Sequence, residues 1–354
     1  MFDFRQSVDE GWLGWRGSFL RCGLVRGVLI AIALVAGVLV AVELGLRWVL
    51  GLGTPPLYVG DEKTGYRLKP DQRIRRFGNR IQINEFSMRG GALAEAGSTL
   101  RVLVLGDSIV NGNWWTDQDD TLTERLKLRL RTGVPPRVFE ALVNTAEPGE
   151  AGRSRPLEVL NISANSWGPR NELGYLEKFG VFNSQALVLV INTDDFFSKP
   201  PTSVPVGLDP NYPDQSPGLA WVELLQMVLP SKRDPILNEI EREDGDVIAK
   251  NLRAIAQIQA IAMANQMAFM VVITPLKREV VPNTQRDYEK KARERLENLT
   301  QDLQIPLVDV LEEFRAVGDP DSLFRDNIHL SIDGNERVAE AIAQRLQGVL
   351  VDRI

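Results

Sequence analysis

Five short apolar runs, largely β-branched, constrain the fold of this chain most. They are RVLVL (101–105), LEVLNI (157–162), ALVLVI (186–191), FMVVI (269–273) and PLVDV (306–310). Between them the apolar residues follow helical spacing, at 121–132, 170–180, 246–265, 284–303 and 333–350. Strands that alternate with helices and are apolar on both faces are typical of a parallel sheet with helices on both sides. The sequence therefore predicts an α/β domain over 98–354.

A second constraint is the apolar stretch near the N-terminus. It has no charge from Gly27 to Val42 and continues to Leu46 with Glu43 as its one charged residue. A helix needs about 20 apolar residues to cross a bilayer core of about 30 Å. This stretch therefore predicts one transmembrane anchor over 23–46, with the lipid bilayer as its partner.

The distribution of arginines around this stretch predicts its orientation. Four of them precede it, and only Arg47 follows closely. Loops rich in Lys and Arg remain in the cytoplasm. We therefore expect a single-pass protein with a cytoplasmic segment, 1–22, and an extracytoplasmic domain, which would be periplasmic in a Gram-negative cell.

Two other interpretations of the apolar stretch stay open. A cleaved signal peptide has a shorter apolar region, about 7–15 residues, followed by a site of small residues. The stretch here is longer and runs into Glu43-Leu-Gly-Leu-Arg47-Trp48. A buried helix of a soluble core is the other alternative, and the asymmetry of the arginines disfavours it.

The composition excludes several classes of function. There are 41 Lys and Arg against 47 Asp and Glu, a net charge of −6, so no basic surplus is available for nucleic acid. The one cysteine, Cys22, excludes an internal disulfide. The one histidine excludes zinc sites built on several His or Cys ligands. We predict no metal and no cofactor, whereas a nucleophilic triad needs only one imidazole.

Two segments fall outside the alternating pattern. Residues 47–97 are predicted to be a stalk or linker with some local structure, including a short strand at 80–84. Residues 198–245 are rich in turn residues and too long for a plain connection, so they predict a cap-like insertion. The last helix is predicted to begin with Asp333 as its N-cap and Glu336 three residues later.

Polar residues follow the predicted strands where ligands bind in open parallel sheets, beyond the carboxyl ends. Gly106-Asp107-Ser108 follows the first strand, and residues 161–168 close the second. Residues 192–195 follow the third, and Asp326-Asn-Ile-His329 lies near the C-terminus. The single histidine is therefore expected at the same rim as Ser108.

These residue types point to nucleophilic catalysis. A serine hydroxyl is a poor nucleophile until a base removes its proton, and the base needs a third group to hold its tautomer. Ser108, His329 and Asp326 can supply these three roles, and one turn of chain can bring the carboxylate to the imidazole. Backbone N–H groups at Ser108 and near Ser166, with a side-chain amide, would stabilise the oxyanion.

The arrangement resembles the SGNH (GDSL-type) hydrolase family over roughly 98–350. Gly106-Asp107-Ser108 matches the nucleophile block, and Asp326-x-x-His329, followed by Leu330-Ser331 and Gly334-Asn335, matches the acid–base block. The anchor followed by Gly-Tyr-Arg-Leu-Lys-Pro (65–70) is similar to bacterial membrane-anchored members. The resemblance implies a flavodoxin-like three-layer α/β/α sandwich. It also implies the activity of an esterase, lipase, carbohydrate deacetylase or acyltransferase.

Two blocks depart from the family pattern. The second block has a glycine as backbone donor where this chain has Ser166, with Gly168 two residues later. The third block has an amide donor where this chain has Asp194, and an ionised carboxylate cannot donate. The residues that would replace this amide are Asn192, Asn165 or Asn111, or a protonated Asp194. Trp114 and Trp115 would either line a substrate pocket or pack against the preceding segment.

We therefore predict a membrane-anchored, extracytoplasmic serine hydrolase of the carboxylesterase type. It would use an acyl-enzyme intermediate and act on an ester or an acylated carbohydrate. One alternative is an O-acyltransferase that modifies an envelope polysaccharide. The other is a catalytically weak SGNH-like binding module, which the altered second and third blocks would favour. No residue in the sequence selects the acyl group or the alcohol.

Overall fold

The computed structural model describes residues 9–95, 99–133, 156–229, 234–240 and 242–351. The chain forms two compact units, one from residues 1–54 and 217–228, the other from 55–216 and 229–354. The segment predicted to be cytoplasmic, 1–22, lies partly outside the described residues.

Nine strands are described. They are β1 (Tyr58–Asp61), β2 (Gly65–Leu68), β3 (Gln72–Arg76), β4 (Asn79–Ile83), β5 (Leu100–Gly106), β6 (Leu157–Ser163), β7 (Ala186–Asn192), β8 (Ala268–Thr274) and β9 (Leu307–Asp309). β5 to β9 form one parallel sheet in the order β6-β5-β7-β8-β9. This confirms the predicted α/β fold with a central parallel sheet, and each predicted run falls within a residue or two of its strand.

Eleven α-helices lie within the described residues. They are α1 (Asp9–Gly45), α2 (Ser108–Asn111), α3 (Leu122–Gly133), α4 (Pro169–Phe179), α5 (Ala220–Val228), α6 (Pro235–Ile240), α7 (Val247–Ala264), α8 (Lys277–Val280), α9 (Asp287–Asp302), α10 (Leu311–Arg315) and α11 (Ile332–Val351). A π-helical turn, Leu46–Leu50, follows α1. Short 3-10 turns occupy Gln118–Asp120, Thr193–Phe197 and Pro320–Leu323.

The alternation of side chains along the strands produces two cores. Val102 and Val104 of β5 pack in one core with the apolar faces of α3 and α11. Leu103 and Leu105 pack in the other with α4, α7 and α9. Because successive strand residues point to opposite faces, a continuous apolar run fills both layers.

Residues 58–83 form two antiparallel hairpins, β1–β2 and β3–β4. Ile81 and Ile83 alternate with polar residues on β4, and both are buried in the core that contains Leu103. The Arg89 N–H also donates to the carbonyl of Asn161, at 3.1 Å. Although the sequence predicts a stalk over 47–97, this part of it packs against the sheet, because its apolar residues fall on one face of each hairpin.

The predicted cap-like insertion over 198–245 does not fold as one piece. Its first part packs against the β1–β2 hairpin, where the ring of Tyr212 meets Tyr58 and Tyr66 with centroids 5.2 and 4.8 Å apart. The Tyr58 N–H donates to the Pro213 carbonyl at 2.8 Å. Residues 217–228, which include α5, belong instead to the unit that contains α1.

The predicted anchor is helical. Val25–Leu50 has 26 residues with a mean hydropathy of 2.7, and none of its most apolar window is buried. The most apolar window of Val25–Leu50 is therefore not a buried core helix in this structure. The segment is long and apolar enough to be a candidate membrane span.

The N-terminus of α11 differs from the prediction by two residues. The helix begins at Ile332, and the Ser331 hydroxyl accepts from the N–H of Gly334 at 3.1 Å. Ser331 is therefore the N-cap, and the predicted cap, Asp333, lies in the first turn. Both residues are good caps, and one turn of chain contains several of them.

Candidate active site

Ser108 lies at a sharp turn between a strand and a helix. β5 ends at Gly106, and α2 begins at Ser108 with Asp107 as N-cap. A Cβ on Gly106 would lie 2.4 Å from a methyl of Val110 and 2.8 Å from the Val190 carbonyl, so only glycine fits there. The turn places the Ser108 hydroxyl at the carboxyl end of the sheet.

Asp326 and His329 are held together by one turn of chain. One oxygen of Asp326 accepts from the N–H groups of Ile328 and His329, at 2.9 and 2.8 Å. Its other oxygen lies 2.7 Å from His329 Nδ1. On the far side of the ring, His329 Nε2 lies 2.9 Å from Ser108 Oγ. The structure thus brings Asp326, His329 and Ser108 into one hydrogen-bonded chain.

The surroundings of Asp326 favour its charged form. Partial burial raises the pKa of this carboxyl, but the hydrogen bonds from the backbone N–H groups of His329 and Ile328 and from the imidazole outweigh it. The pKa of Asp326 is lowered as a result. An ionised Asp326 accepts a hydrogen bond from Nδ1–H, which holds the tautomer that leaves Nε2 as an acceptor facing the hydroxyl.

Ser108 has a second acceptor within reach. Its hydroxyl lies 3.2 Å from Asp107 Oδ2, and the side-chain amide of Asn192 donates to the same oxygen at 3.0 Å. Burial raises the pKa of the Asp107 carboxyl, and the hydrogen bond from the Ile109 N–H opposes this effect. The single proton of the hydroxyl can therefore point to His329 or to Asp107.

Two predicted oxyanion donors, at Asn192 and Gly168, donate hydrogen bonds to other side chains. The amide of Asn192 donates to Asp107, while its oxygen accepts from the N–H of Asp194 at 2.8 Å. The N–H of Gly168 donates to the side chain of Asn171 at 3.0 Å and caps α4. In this structure the Gly168 N–H is not a spare donor, and one of the two N–H bonds of the Asn192 amide is used.

Ser166, at the second-block position, lies in the left-handed region with a φ of 56°. Glycine adopts this conformation freely, whereas an L-residue is disfavoured by about 1 kcal/mol. Ser166 is exposed, and the turn around it closes with the Trp167 N–H donating to the Ala164 carbonyl at 3.3 Å. The turn has the glycine-like geometry even though its residue is serine.

Asp194, at the third-block position, pairs loosely with a cation. One of its oxygens lies 3.7 Å from the Arg278 guanidinium, and its side chain is 46% exposed. Burial raises the pKa of the Asp194 carboxyl, Arg278 opposes this, and Glu289 and Glu279 add to it. The pKa is raised overall.

The remaining predicted amides have different surroundings. The amide of Asn111 lies 3.4 Å from the Ser163 hydroxyl. Asn165 accepts from the Tyr66 hydroxyl through its backbone carbonyl at 2.7 Å, and its side-chain oxygen is buried without a partner among the described residues.

Two further residues, Trp115 and Arg89, contact the site or the loop after α2. Trp115 packs edge-on against the His329 ring, with centroids 4.8 Å apart, whereas Trp114 packs on Phe77 of the β3–β4 hairpin. The buried Arg89 guanidinium donates to the carbonyls of Asn111, the last residue of α2, and of Asn113 and Thr116 in the loop that follows. The tandem tryptophans are a visible signal for the first contact, but no local pattern marks the second.

A second buried carboxyl, that of Glu172, interacts electrostatically with Asp107. Glu172, on α4, is fully buried, and neither of its side-chain oxygens has a partner among the described residues. Burial raises the pKa of Glu172 well above its usual value, and the charge of Asp107 adds to the effect. Within the described residues no cluster of His, Cys, Asp and Glu is arranged to hold a metal ion.

Comparisons with known proteins find similarity in structure and none in sequence. No protein-family model matches the sequence. The curated proteins contain no match either. A lipase/acylhydrolase from Enterococcus faecalis is similar in structure, with 11% identity, a TM-score of 0.42, and coverage of 71% of this chain and 96% of its own.

Two further solved structures have comparable values. A member of the lipolytic G-D-S-L family from Veillonella parvula has 12% identity and a TM-score of 0.39, covering 70% of this chain and 97% of its own. A catalytic mutant of an acetylxylan esterase from Geobacillus stearothermophilus has 12% identity and a TM-score of 0.42, covering 70% and 94%. These are partial likenesses in the arrangement of the chain, and the chemistry of this site rests on its own geometry.

Proposed function

We propose that this protein is a membrane-anchored serine hydrolase that cleaves ester bonds. The observation that carries the proposal is the unbroken chain from Ser108 Oγ to His329 Nε2, at 2.9 Å, and from His329 Nδ1 to Asp326, at 2.7 Å. A nucleophile, a base and an orienting carboxylate in this order are what acyl transfer from an ester requires.

The first half of the reaction forms an acyl-enzyme. His329 Nε2 takes the hydroxyl proton of Ser108 as Oγ bonds to the ester carbonyl carbon, and the carbonyl π electrons move to oxygen. When the tetrahedral adduct collapses, the bond from carbon to the alcohol oxygen breaks. The imidazolium gives its proton to that oxygen, so the alcohol leaves neutral and neutral His329 is regenerated.

The second half releases the acid. Nε2 of His329 removes a proton from a water molecule, whose oxygen bonds to the acyl carbon. Collapse of this second adduct breaks the bond to Oγ, and the imidazolium returns the proton to Ser108. Asp326 remains ionised throughout, holds the Nδ1–H tautomer and stabilises the imidazolium in both halves.

Labelling with a fluorophosphonate probe, together with hydrolysis of short-chain esters, tests this proposal on the full chain in detergent. We expect Ser108→Ala to abolish both signals. Ser184→Ala is the matched control. Ser184 is also buried, but it lies just before the first residue of β7, at the end of the strand away from the candidate site. Unchanged ester hydrolysis in Ser108→Ala would overturn the proposal.

A catalytically weak binding module is the second candidate. The observation that favours it is the shortage of donors for an oxyanion, because Gly168 donates to Asn171, one N–H of the Asn192 amide donates to Asp107, and Asp194 is a carboxylate. Losing one such donor typically costs about 10²–10³ in rate. Folded protein that fails to react with the probe would favour this candidate, and labelling of Ser108 would exclude it.

We further propose that Val25–Leu50 is retained as an uncleaved anchor, with the hydrolase outside the cytoplasm. The excess of arginines before the span supports this orientation. The substrate would be an ester or an acylated carbohydrate of the envelope. Intact cells test the location: a thiol reagent that cannot cross membranes should label a Cys22→Ser, Gln226→Cys variant, and labelling only after lysis would contradict it.

A further inference from the structure

The loop and helix at 218–228 are attached to the end of the candidate span. The Glu43 carboxylate accepts from the N–H of Ala220, at 2.9 Å, and from that of Trp221, at 3.3 Å. Arg47 pairs with Glu43 and donates to the Gly218 carbonyl at 2.8 Å. The two charges of the last turns of the span therefore hold the N-terminus of α5.

This attachment explains why a carboxylate occurs within an apolar span. An ionised side chain near a bilayer is unfavourable unless it is paired and hydrogen-bonded. Glu43 receives the first N–H groups of a helix, the positive end of its dipole, and also the Arg47 guanidinium. Docking of α5 thus satisfies the one acidic residue between Gly27 and Leu50.

A second contact fixes how α5 is rotated about its axis. The buried Glu223 side chain accepts from the N–H of Gly53, in the turn that follows the span. Because the Glu223 side chain faces the end of the span, side chains about half a turn away around α5 face away from the span.

The outward face is apolar. Trp221, Leu225 and Val228 follow the i, i+4, i+7 spacing of one helix face and are 39%, 47% and 71% exposed. At the end of the span, Trp48 and Val49 are 78% and 74% exposed. Tryptophan is enriched where a protein meets the boundary between lipid and water.

We propose that α5 lies in the membrane interface, with the face formed by Trp221, Leu225 and Val228 in contact with lipid. The proposal rests on the membrane location of Val25–Leu50, not on the chemistry of the hydrolase. Lipid is the occupant we favour because the helix is hydrogen-bonded to the end of the candidate span, where a bilayer boundary would lie. Helices with an apolar face and a polar face adopt this position.

Quenching by spin-labelled lipid tests the proposal. The full chain carries Cys22→Ser, which removes its one cysteine, and Leu225→Cys, which is labelled with an environment-sensitive fluorophore. The labelled protein is then reconstituted in vesicles of phosphatidylcholine and phosphatidylglycerol. We expect severalfold stronger quenching by a nitroxide near the headgroups than by aqueous iodide. Gln226→Cys, exposed on another side of the same helix, is the matched control and should show the reverse.

Each other result overturns the proposal. Equal access of iodide to both labels would place α5 in water. Access of neither quencher to the label at 225 would indicate a second protein copy on this face. A third label, at Val35→Cys, should be quenched by a nitroxide deep in the acyl chains, and its failure would remove the span and α5 from the membrane together. Near-ultraviolet circular dichroism of every variant, compared with that of the parent chain, shows that the protein is folded, so the test does not depend on the proposed function.

Discussion

The indole of Trp115 stands edge-on against the imidazole of His329, with ring centroids 4.8 Å apart and planes at 71°. The guanidinium of Arg325 lies 5.0 Å from the centroid of the same indole. The imidazole is therefore held by Asp326 through Nδ1 and by Trp115 through its ring. An aromatic contact of this type is worth about 0.5–1.5 kcal/mol beyond the area it buries.

We expect Trp115→Ala to lower kcat for ester hydrolysis by up to about tenfold, with little change in KM, because the variant loses the contact that orients the imidazole. A loss of about 1.4 kcal/mol in transition-state stabilisation corresponds to a tenfold lower rate. Trp114→Ala is the control, since Trp114 packs on Phe77 and Arg76 and not on the imidazole. Steady-state kinetics with one ester measures both variants. Equal kcat values for the two would contradict a positioning role for Trp115.

Arg89 is expected to stabilise the loop after the nucleophile helix. The residue is 2% exposed, and its guanidinium donates to three backbone carbonyls, of Asn111, Asn113 and Thr116. Arg89→Met would leave these acceptors buried and unpaired, at about 1–3 kcal/mol each. Urea unfolding should show a large loss of stability, with partial recovery in Arg89→Lys. A loss no greater than that of Arg80→Met, at an exposed arginine, would contradict this role.

Asp194 offers a test of the oxyanion site. If it occupies the position where an amide should donate, Asp194→Asn should raise the hydrolysis rate by as much as about a hundredfold. Asp194→Ala separates removal of the charge from gain of a donor, and we expect it to be slower than the Asn variant. Equal rates for Asn and Ala would show that no donor acts there.

The same substitution has an expected pH dependence. Because burial raises the pKa of Asp194, the wild-type carboxyl gains its proton at a higher pH than an ordinary aspartate. The protonated form has no charge and can donate, so the advantage of Asp194→Asn should shrink as the pH falls. A ratio of the two rates that stays constant from acid to neutral pH would contradict this.

Glu172 should make stability fall with rising pH. Burial raises its pKa in the folded protein well above the usual 4.5, so the folded chain keeps a proton that the unfolded chain has lost. The free energy of unfolding therefore decreases as the pH rises above that value, by up to about 1.4 kcal/mol per unit. Urea titrations at several pH values should show a shallower slope for Glu172→Gln. Glu177→Gln, at an exposed position of α4, should keep the wild-type slope.

The sheet could be predicted because each strand has its own local signal. A run such as Ala186–Asn192 is apolar on both faces, which only a strand between two layers requires. The hairpins at 58–83 carry a weaker signal, because strands of four or five residues with charged outer faces resemble a solvated linker. Their burial depends on packing partners such as Leu103, which lie elsewhere in the chain and cannot be identified from the sequence of the hairpins.

For the site, the meeting of Ser108 with His329 could be predicted because both segments leave the same edge of a parallel sheet. The hydrogen-bond partners of the side-chain amides proposed as oxyanion donors could not be predicted. Whether Asn192 is a spare donor depends on Asp107, whose burial is a property of the whole fold. Arg89 was missed for a similar reason, since a lone arginine looks exposed until three carbonyls close around it.

The attachment of α5 to Glu43 and Arg47 has a practical consequence for making a soluble version of this protein. A truncation that starts after Leu50 removes the groups that receive the first N–H groups of α5 and the Gly218 carbonyl. Of the contacts described above, α5 would then keep the hydrogen bond from Gly53 to Glu223, and it would present Trp221, Leu225 and Val228 to water. Such a fragment should aggregate unless 217–228 is replaced by a short polar linker in the same step.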